Sequence, residues 1–184
     1  MPGPQTNTTA AVLAARYDAA AVEERWQRFW DDEDIYAFER HGGGPIYAID
    51  TPPPTVSGEL HLGHCYSYTQ TDFIARYHRM RGDHVFYPMG WDDNGLPTER
   101  LVEQRLGIAP RGMSRAAYLA TIREVSAALE EGYERLWRRL GLSVDWRQRY
   151  STIATEAQRT SQYSFIDLYR KGRVYRRAAP TIWC

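Results

Sequence analysis

Two histidines, His61 and His64, stand three residues apart with Gly63 between them, at the end of the stretch Pro52-Pro53-Pro54-Thr55-Val56-Ser57-Gly58-Glu59-Leu60-His61-Leu62-Gly63-His64. If a helix opens at Ser57-Gly58, that spacing puts both imidazoles on one face of its first turns. A helix start already favours phosphate, through its unpaired N–H groups and its dipole. Two imidazoles add hydrogen-bond donors where negative charge would grow on a phosphate under attack. Gly63 leaves the backbone open to close approach by a flat ring. A metal site built on His61, His64 and Cys65 is the weaker alternative. Helical geometry turns Cys65 about 100° away from its neighbour, and no fourth ligand is indicated. No metal is expected.

These residues need elements to hold them. The apolar run Ile46-Tyr47-Ala48-Ile49 reads as a buried strand ending at Asp50, and the three prolines then forbid regular pairing. The helix that follows is expected to run to about Arg81 and stop at Gly82, with His84-Val85-Phe86-Tyr87 as a second strand. Strand, helix and strand with one crossover form a parallel unit, whose ligands belong at the carboxyl end of the first strand. That is where the prolines and histidines lie.

The rest of the chain reads as mainly helical. Asp18 caps a helix carrying Val22, Trp26, Phe29 and Trp30, aromatic residues assigned to packing. His41 to Pro45 is a glycine-rich loop, and Pro97 opens a short helix to about Leu106 with Glu99 in its first turn. Ser114 caps a long amphipathic helix bearing Tyr118, Ile122, Val125, Leu129, Tyr133, Leu136 and Leu140, closed by Gly141. Asp145-Trp146 cap and pack the turn after it. Thr155-x-x-Gln158 reads as a capping box for a last helix ending at Gly172. Residues 1–16, small and polar, are expected to be disordered. The fold class is therefore α/β in front and mostly helical behind. Two strands alone leave a sheet edge that a partner or further chain would have to cover.

Composition bounds the partners. The chain has 184 residues, 43% of them hydrophobic and 25% charged, which suits one soluble domain with a real core. Its 23 basic and 23 acidic side chains cancel, so there is no global electrostatic footprint for nucleic acid. Cys65 and Cys184 make no disulfide framework, and no run reaches membrane-spanning length. A cytoplasmic protein without membrane contact is expected.

The strand, proline turn and His-x-Gly-His block resemble the first signature of the class I aminoacyl-tRNA synthetases. Three prolines followed by x-Val-Ser-Gly-x-Leu-His-x-Gly-His are most similar to the valyl-type subgroup. Pro88 to Glu99 matches the family's Gly-x-Asp-x-x-Gly block. Leu140-Gly141-Leu142-Ser143-Val144-Asp145-Trp146 and Ala179 to Cys184 resemble the approach to the inserted editing domain. The resemblance covers nearly everything from Tyr17 onward. It implies a Rossmann-like (HUP-type) catalytic domain, with residues 17–184 its N-terminal portion.

The resemblance also implies roles. His61 and His64 would be catalytic, holding ATP phosphates, with Gly63 and Gly95 close to the nucleotide. Asp92 would hold the ammonium group of the amino acid. An ammonium in a partly dry pocket needs such a partner, because an unpaired charge there is costly. Pro52, Pro53 and Thr55 would flank the side-chain pocket, proline rings giving a rigid apolar wall. Thr55 departs from the asparagine usual in valyl enzymes, Asn94 carries no acid–base role, and Asp93 is read as solvated. The implied substrates are valine, ATP with Mg2+ and tRNA-Val, with no tightly bound cofactor. The only lysine is Lys171, so the family's lysine-rich loop, which closes on the ATP phosphates, is not in this sequence. The chain reads as the front of a synthetase whose C-terminal half would be a partner. A non-catalytic nucleotide- or partner-binding relative and an isoleucyl- or leucyl-type enzyme are the alternatives.

Overall fold

A computed structural model describes residues 16–182. The expected disordered tail lies outside the described residues except for Arg16, as do Trp183 and Cys184. The elements in chain order are α1 (Ala19–Asp32), β1 (Ile46–Ala48), α2 (Leu62–Met80), β2 (His84–Phe86), β3 (Gly90–Trp91), α3 (Leu96–Leu106), α4 (Arg115–Arg139), β4 (Tyr150–Ser151) and α5 (Thr155–Arg170). Short 3-10 turns at Pro110–Gly112 and Trp146–Gln148 complete the set.

β1, α2 and β2 make the expected parallel crossover, with Ile46 opposite His84 and Ala48 opposite Phe86. But β1 is not the buried strand expected: Ile46 is 57% exposed and only Tyr47 is partly covered. The extended stretch then continues past β2. Tyr87, Met89 and Trp91 accept hydrogen bonds from the N–H groups of Asp145, Tyr150 and Thr152 at 3.0, 3.1 and 3.0 Å. β3 pairs in parallel with β4, Gly90 opposite Tyr150 and Trp91 opposite Ser151. The segment from His84 to Trp91 is thus flanked by β1 at its start and by β4 at its end. Gly90-Trp91 is a strand that no sequence pattern marks. Two-residue strands have no period to announce them, and their pairing partner lies about sixty residues away in sequence.

The core gathers between this sheet and α2 and α4. Val56, Tyr68, Ala75, Val85, Tyr87, Met89, Trp91, Tyr133, Trp137, Leu142 and Val144 form one buried cluster. On α4 the buried seam is Ile122, Ser126, Tyr133 and Trp137. Leu140, expected inside, is 44% exposed. α1 buries no residue completely, and its Trp26 and Phe29 stay about half exposed while stacking edge to face.

Helix ends follow local chemistry. Asp18 accepts from Ala21 N–H and Ser114 from Ala117 N–H, as caps do. The capping box at Thr155 does not form. Ala154 is the N-cap, and the Gln158 side chain donates instead to the Ile153 carbonyl at 2.6 Å. Asp145 does cap its turn, accepting from Arg147 N–H at 3.1 Å, and it also receives Phe38 N–H at 2.9 Å.

Candidate functional site

The proline segment has few N–H groups to offer a sheet, yet it is fixed from several sides. Asp92 N–H donates to the Pro54 carbonyl and Val56 N–H to the Asp92 carbonyl, both at 2.9 Å, an isolated parallel bridge between Thr55 and Asp92. Hydroxyls from three helices take three further carbonyls of the segment. Tyr68 of α2 donates to Pro52 at 2.6 Å, Thr98 of α3 to Val56 at 2.8 Å, and Tyr133 of α4 to Gly58 at 2.6 Å. Burial, and then the nearby Tyr150, pushes the Tyr68 hydroxyl up to about 12, so it stays a proton donor across the physiological range. A loop whose backbone polar groups are met by buried hydroxyls is preorganised, without paying for order when a ligand arrives.

α2 begins at Leu62, four residues later than the sequence suggests, and His61 is its N-cap with extended backbone. The reason lies in the two imidazoles. His61 Nδ1 accepts Gly63 N–H at 3.1 Å, and His64 Nδ1 accepts His61 N–H at 3.3 Å. The rings are tilted against each other with centroids 4.0 Å apart. Because both Nδ1 atoms accept, the neutral rings carry their protons on Nε2. Burial, and then the His61 charge, lowers the His64 pKa, which favours that neutral state. The helix start thus presents two Nε2–H donors, an arrangement suited to phosphate oxygens. A Cβ on Gly63 would meet His61 Cε1 at 2.9 Å and Nδ1 at 3.0 Å. The flat ring lying against Gly63 is therefore its own cap.

Asp92, the residue after β3, is partly exposed. Its Oδ1 faces Thr152 Oγ1 at 3.3 Å and Asn94 N–H at 3.4 Å, long contacts that leave the carboxylate able to accept a stronger donor. Gly95, with φ 130°, caps α3 in a conformation side chains rarely adopt. Pro52, Pro53, Thr55, Asp92 and Gly95 are thus drawn into one region by the Thr55–Asp92 bridge and the Val56–Thr98 bond. His61 and His64 follow on the same loop.

The structure brings to the site residues that the sequence did not place there. Tyr150 lies across Gly90, where a Cβ would sit 2.2 Å from the tyrosine Cζ. Burial, and then the charges of Asp50 and Asp92, raises its pKa. Asp93 is not solvated: it is 4% exposed, and its Oδ2 accepts from Ser151 Oγ at 2.6 Å. Tyr133 carried a signal, since a tyrosine on a buried helical seam needs a partner for its hydroxyl. Tyr150 and Asp93 carried none, because their partners are remote in sequence.

The chain resembles known proteins along its length. The family described as tRNA synthetases class I (I, L, M and V) matches residues 25–184. The valine–tRNA ligase of Rickettsia felis is 50% identical over 168 residues, 91% of this chain and 20% of that protein. That of Thermoplasma acidophilum is 50% identical over 167 residues, 91% and 21% of the two chains. That of Haloarcula marismortui is 45% identical over 179 residues, 97% and 20%. The crystal structure of the Agrobacterium radiobacter LeuRS–tRNA–LeuAMS ternary complex superposes with a TM-score of 0.72 at 30% identity, covering 85% of this chain and 18% of that one. The chain spans about a fifth of the length of these relatives. The expected Rossmann-like α/β class accords with the parallel crossover and with this neighbour. Matched by the family over residues 25–184, the chain belongs to the class I tRNA synthetases.

Proposed function

We propose that residues 17–184 are the N-terminal portion of the catalytic domain of a valine–tRNA ligase, which activates valine with ATP and Mg2+ as substrate and passes the acyl group to tRNA-Val. The observation that carries this reading is the bridged segment Pro52–Thr55 against Asp92, a rigid apolar wall beside a carboxylate with spare acceptor capacity. The identity of about a half to valine–tRNA ligases supports the choice of valine. In this reading Asp92 holds the substrate ammonium, and Pro52, Pro53 and Thr55 bound its branched side chain. His61 and His64 donate from Nε2 to the phosphates as the valine carboxylate attacks, with Gly63 leaving room for the His61 ring and Gly95 allowing close approach of the nucleotide. The chemistry is positioning and electrostatic stabilisation. A cytoplasmic location and a C-terminal half as partner belong to the same proposal. A leucyl- or isoleucyl-type pocket is the second reading, favoured by the leucyl-type structural neighbour.

Titration of the 184-residue chain with valyl-, isoleucyl- and leucyl-sulfamoyl-adenosine tests it. Tighter binding of the valyl compound is expected, together with almost no valine-dependent ATP–pyrophosphate exchange by the chain alone. Preference for the leucyl compound would replace valine. Absence of binding to all three would overturn the site.

A further inference from the structure

Asp92 and Asp93 are adjacent, and each carboxylate meets its own hydroxyl at the end of β4. Ser151 Oγ accepts Ile153 N–H at 3.3 Å and donates to Asp93 Oδ2 at 2.6 Å. Thr152 Oγ1 accepts Asp93 N–H at 3.1 Å and stands 3.3 Å from Asp92 Oδ1. A hydroxyl has one proton to give, and an ionised carboxylate can only accept. With Asp93 N–H donating to Oγ1, the threonine proton is left for Asp92.

The sheet does not need this bond. Thr152 is already held by its own N–H, which donates to the Trp91 carbonyl at 3.0 Å and extends the β3–β4 pairing by one residue. The backbone of Asp92 is bound on both sides, its N–H by Pro54 and its carbonyl by Val56. What the Thr152 hydroxyl adds is control of the Asp92 side chain, whose terminal torsion is otherwise soft. Asn94 N–H reaches the same Oδ1 at 3.4 Å. Oδ2 receives no hydrogen bond among the described residues.

We infer that Thr152 is a positioning residue for the reaction: its hydroxyl anchors Asp92 Oδ1 and leaves Oδ2 as the oxygen that takes the substrate ammonium. The anchor is long for a hydroxyl on a carboxylate, as such contacts are before a ligand tightens the site. The link to the ammonium rests on the role proposed for Asp92, whereas the hydroxyl bond does not.

Two measurements keep the bond and the ligand apart. In the 184-residue chain at neutral pH, the Asp92 side-chain carboxyl 13C signal is identified by its loss in Asp92→Asn. It should move in Thr152→Val, which keeps the branched shape, and return in Thr152→Ser, which keeps the hydroxyl. Read from the other side, the Thr152 Cβ signal should move in Asp92→Asn, a variant that leaves the threonine intact. An Asp92 signal unmoved by Thr152→Val, or a Thr152 signal unmoved by Asp92→Asn, would overturn the inference. The second measurement compares valyl-sulfamoyl-adenosine with its isovaleryl counterpart, which lacks only the ammonium. Thr152→Val should bind the valyl compound about three- to tenfold more weakly and the isovaleryl compound as before, with Thr152→Ser restoring the valyl affinity. In the Asp92→Asn background, Thr152→Val should weaken binding no further. Equal weakening of both compounds would make Thr152 a structural residue only and sink the inference while the proposed function stands. Binding of neither compound by the parent chain would remove the ammonium role along with the proposed function, and the carboxyl signal would still decide whether the hydroxyl holds Asp92.

Discussion

Removing one hydroxyl should loosen the proline segment measurably. Tyr133→Phe keeps the ring, which is 4% exposed and packs edge to face on Trp91 with centroids 6.1 Å apart. It deletes the donor to the Gly58 carbonyl at 2.6 Å. The Thr55 carbonyl, 3.3 Å from the same hydroxyl, keeps its bond from Ser57 N–H at 2.9 Å, so the loss falls mainly on one acceptor. Leaving a half-buried carbonyl without its donor costs about 1–2 kcal/mol, and no cavity beyond one oxygen adds to it. Tyr133→Ala removes the ring too and should cost about 3–5 kcal/mol. Urea unfolding followed by circular dichroism, with the slope unchanged and the midpoint shifted, measures both. If Tyr133→Phe unfolds within about 0.3 kcal/mol of the parent, or if it costs as much as alanine, the hydroxyl is not what fixes the loop.

Three further outcomes are expected. Gly90→Ala should destabilise by about 1–3 kcal/mol through overpacking against Tyr150, and Tyr150→Ala should rescue part of that in a double-mutant cycle. Asp92→Asn should weaken binding of valyl-sulfamoyl-adenosine at least about tenfold while changing the urea midpoint little; equal binding would remove Asp92 from the ammonium site. His64 has a lowered pKa, so its contribution is present above about pH 6.5 and is lost as acid protonates the ring. Protonation at Nδ1 ends its acceptance of His61 N–H. Ring 15N shifts should therefore show the Nε2–H tautomer at pH 7.5, and faster amide exchange at the start of α2 below pH 6; an Nδ1–H tautomer would contradict the capping geometry.

The β1–α2–β2 unit was legible because each part has a local cause. An apolar run makes β1, Gly82 with φ 87° ends α2, and the prolines exclude pairing between them. The start of α2 was not legible. A histidine serving as N-cap is unusual, and Ser57-Gly58 looked like the better start. β3 and β4 escaped because two-residue strands are defined by their partner rather than by a pattern. Within the site, the pairing of Pro54 to Val56 with Asp92 joins motifs that sequence could only place side by side. The contact of Tyr150 with Gly90 is purely tertiary. Trp137, fully buried, fell outside the chosen seam because the helical stripe drifts along a 25-residue helix.

The clamp on the proline segment has an optical consequence. Its two tyrosines each touch a buried indole: Tyr68 lies 4.8 Å from Trp137 and Tyr133 lies 6.1 Å from Trp91, centroid to centroid. Both indoles are almost wholly shielded, at 0% and 3% exposure, whereas Trp26 is 44% exposed. The shielded pair should emit at shorter wavelength and resist quenching by iodide, while Trp26 is quenched readily. A ligand that pushes on the prolines should therefore change the blue edge of the emission and leave the quenchable red edge alone. The loop carries its own unlabelled reporter.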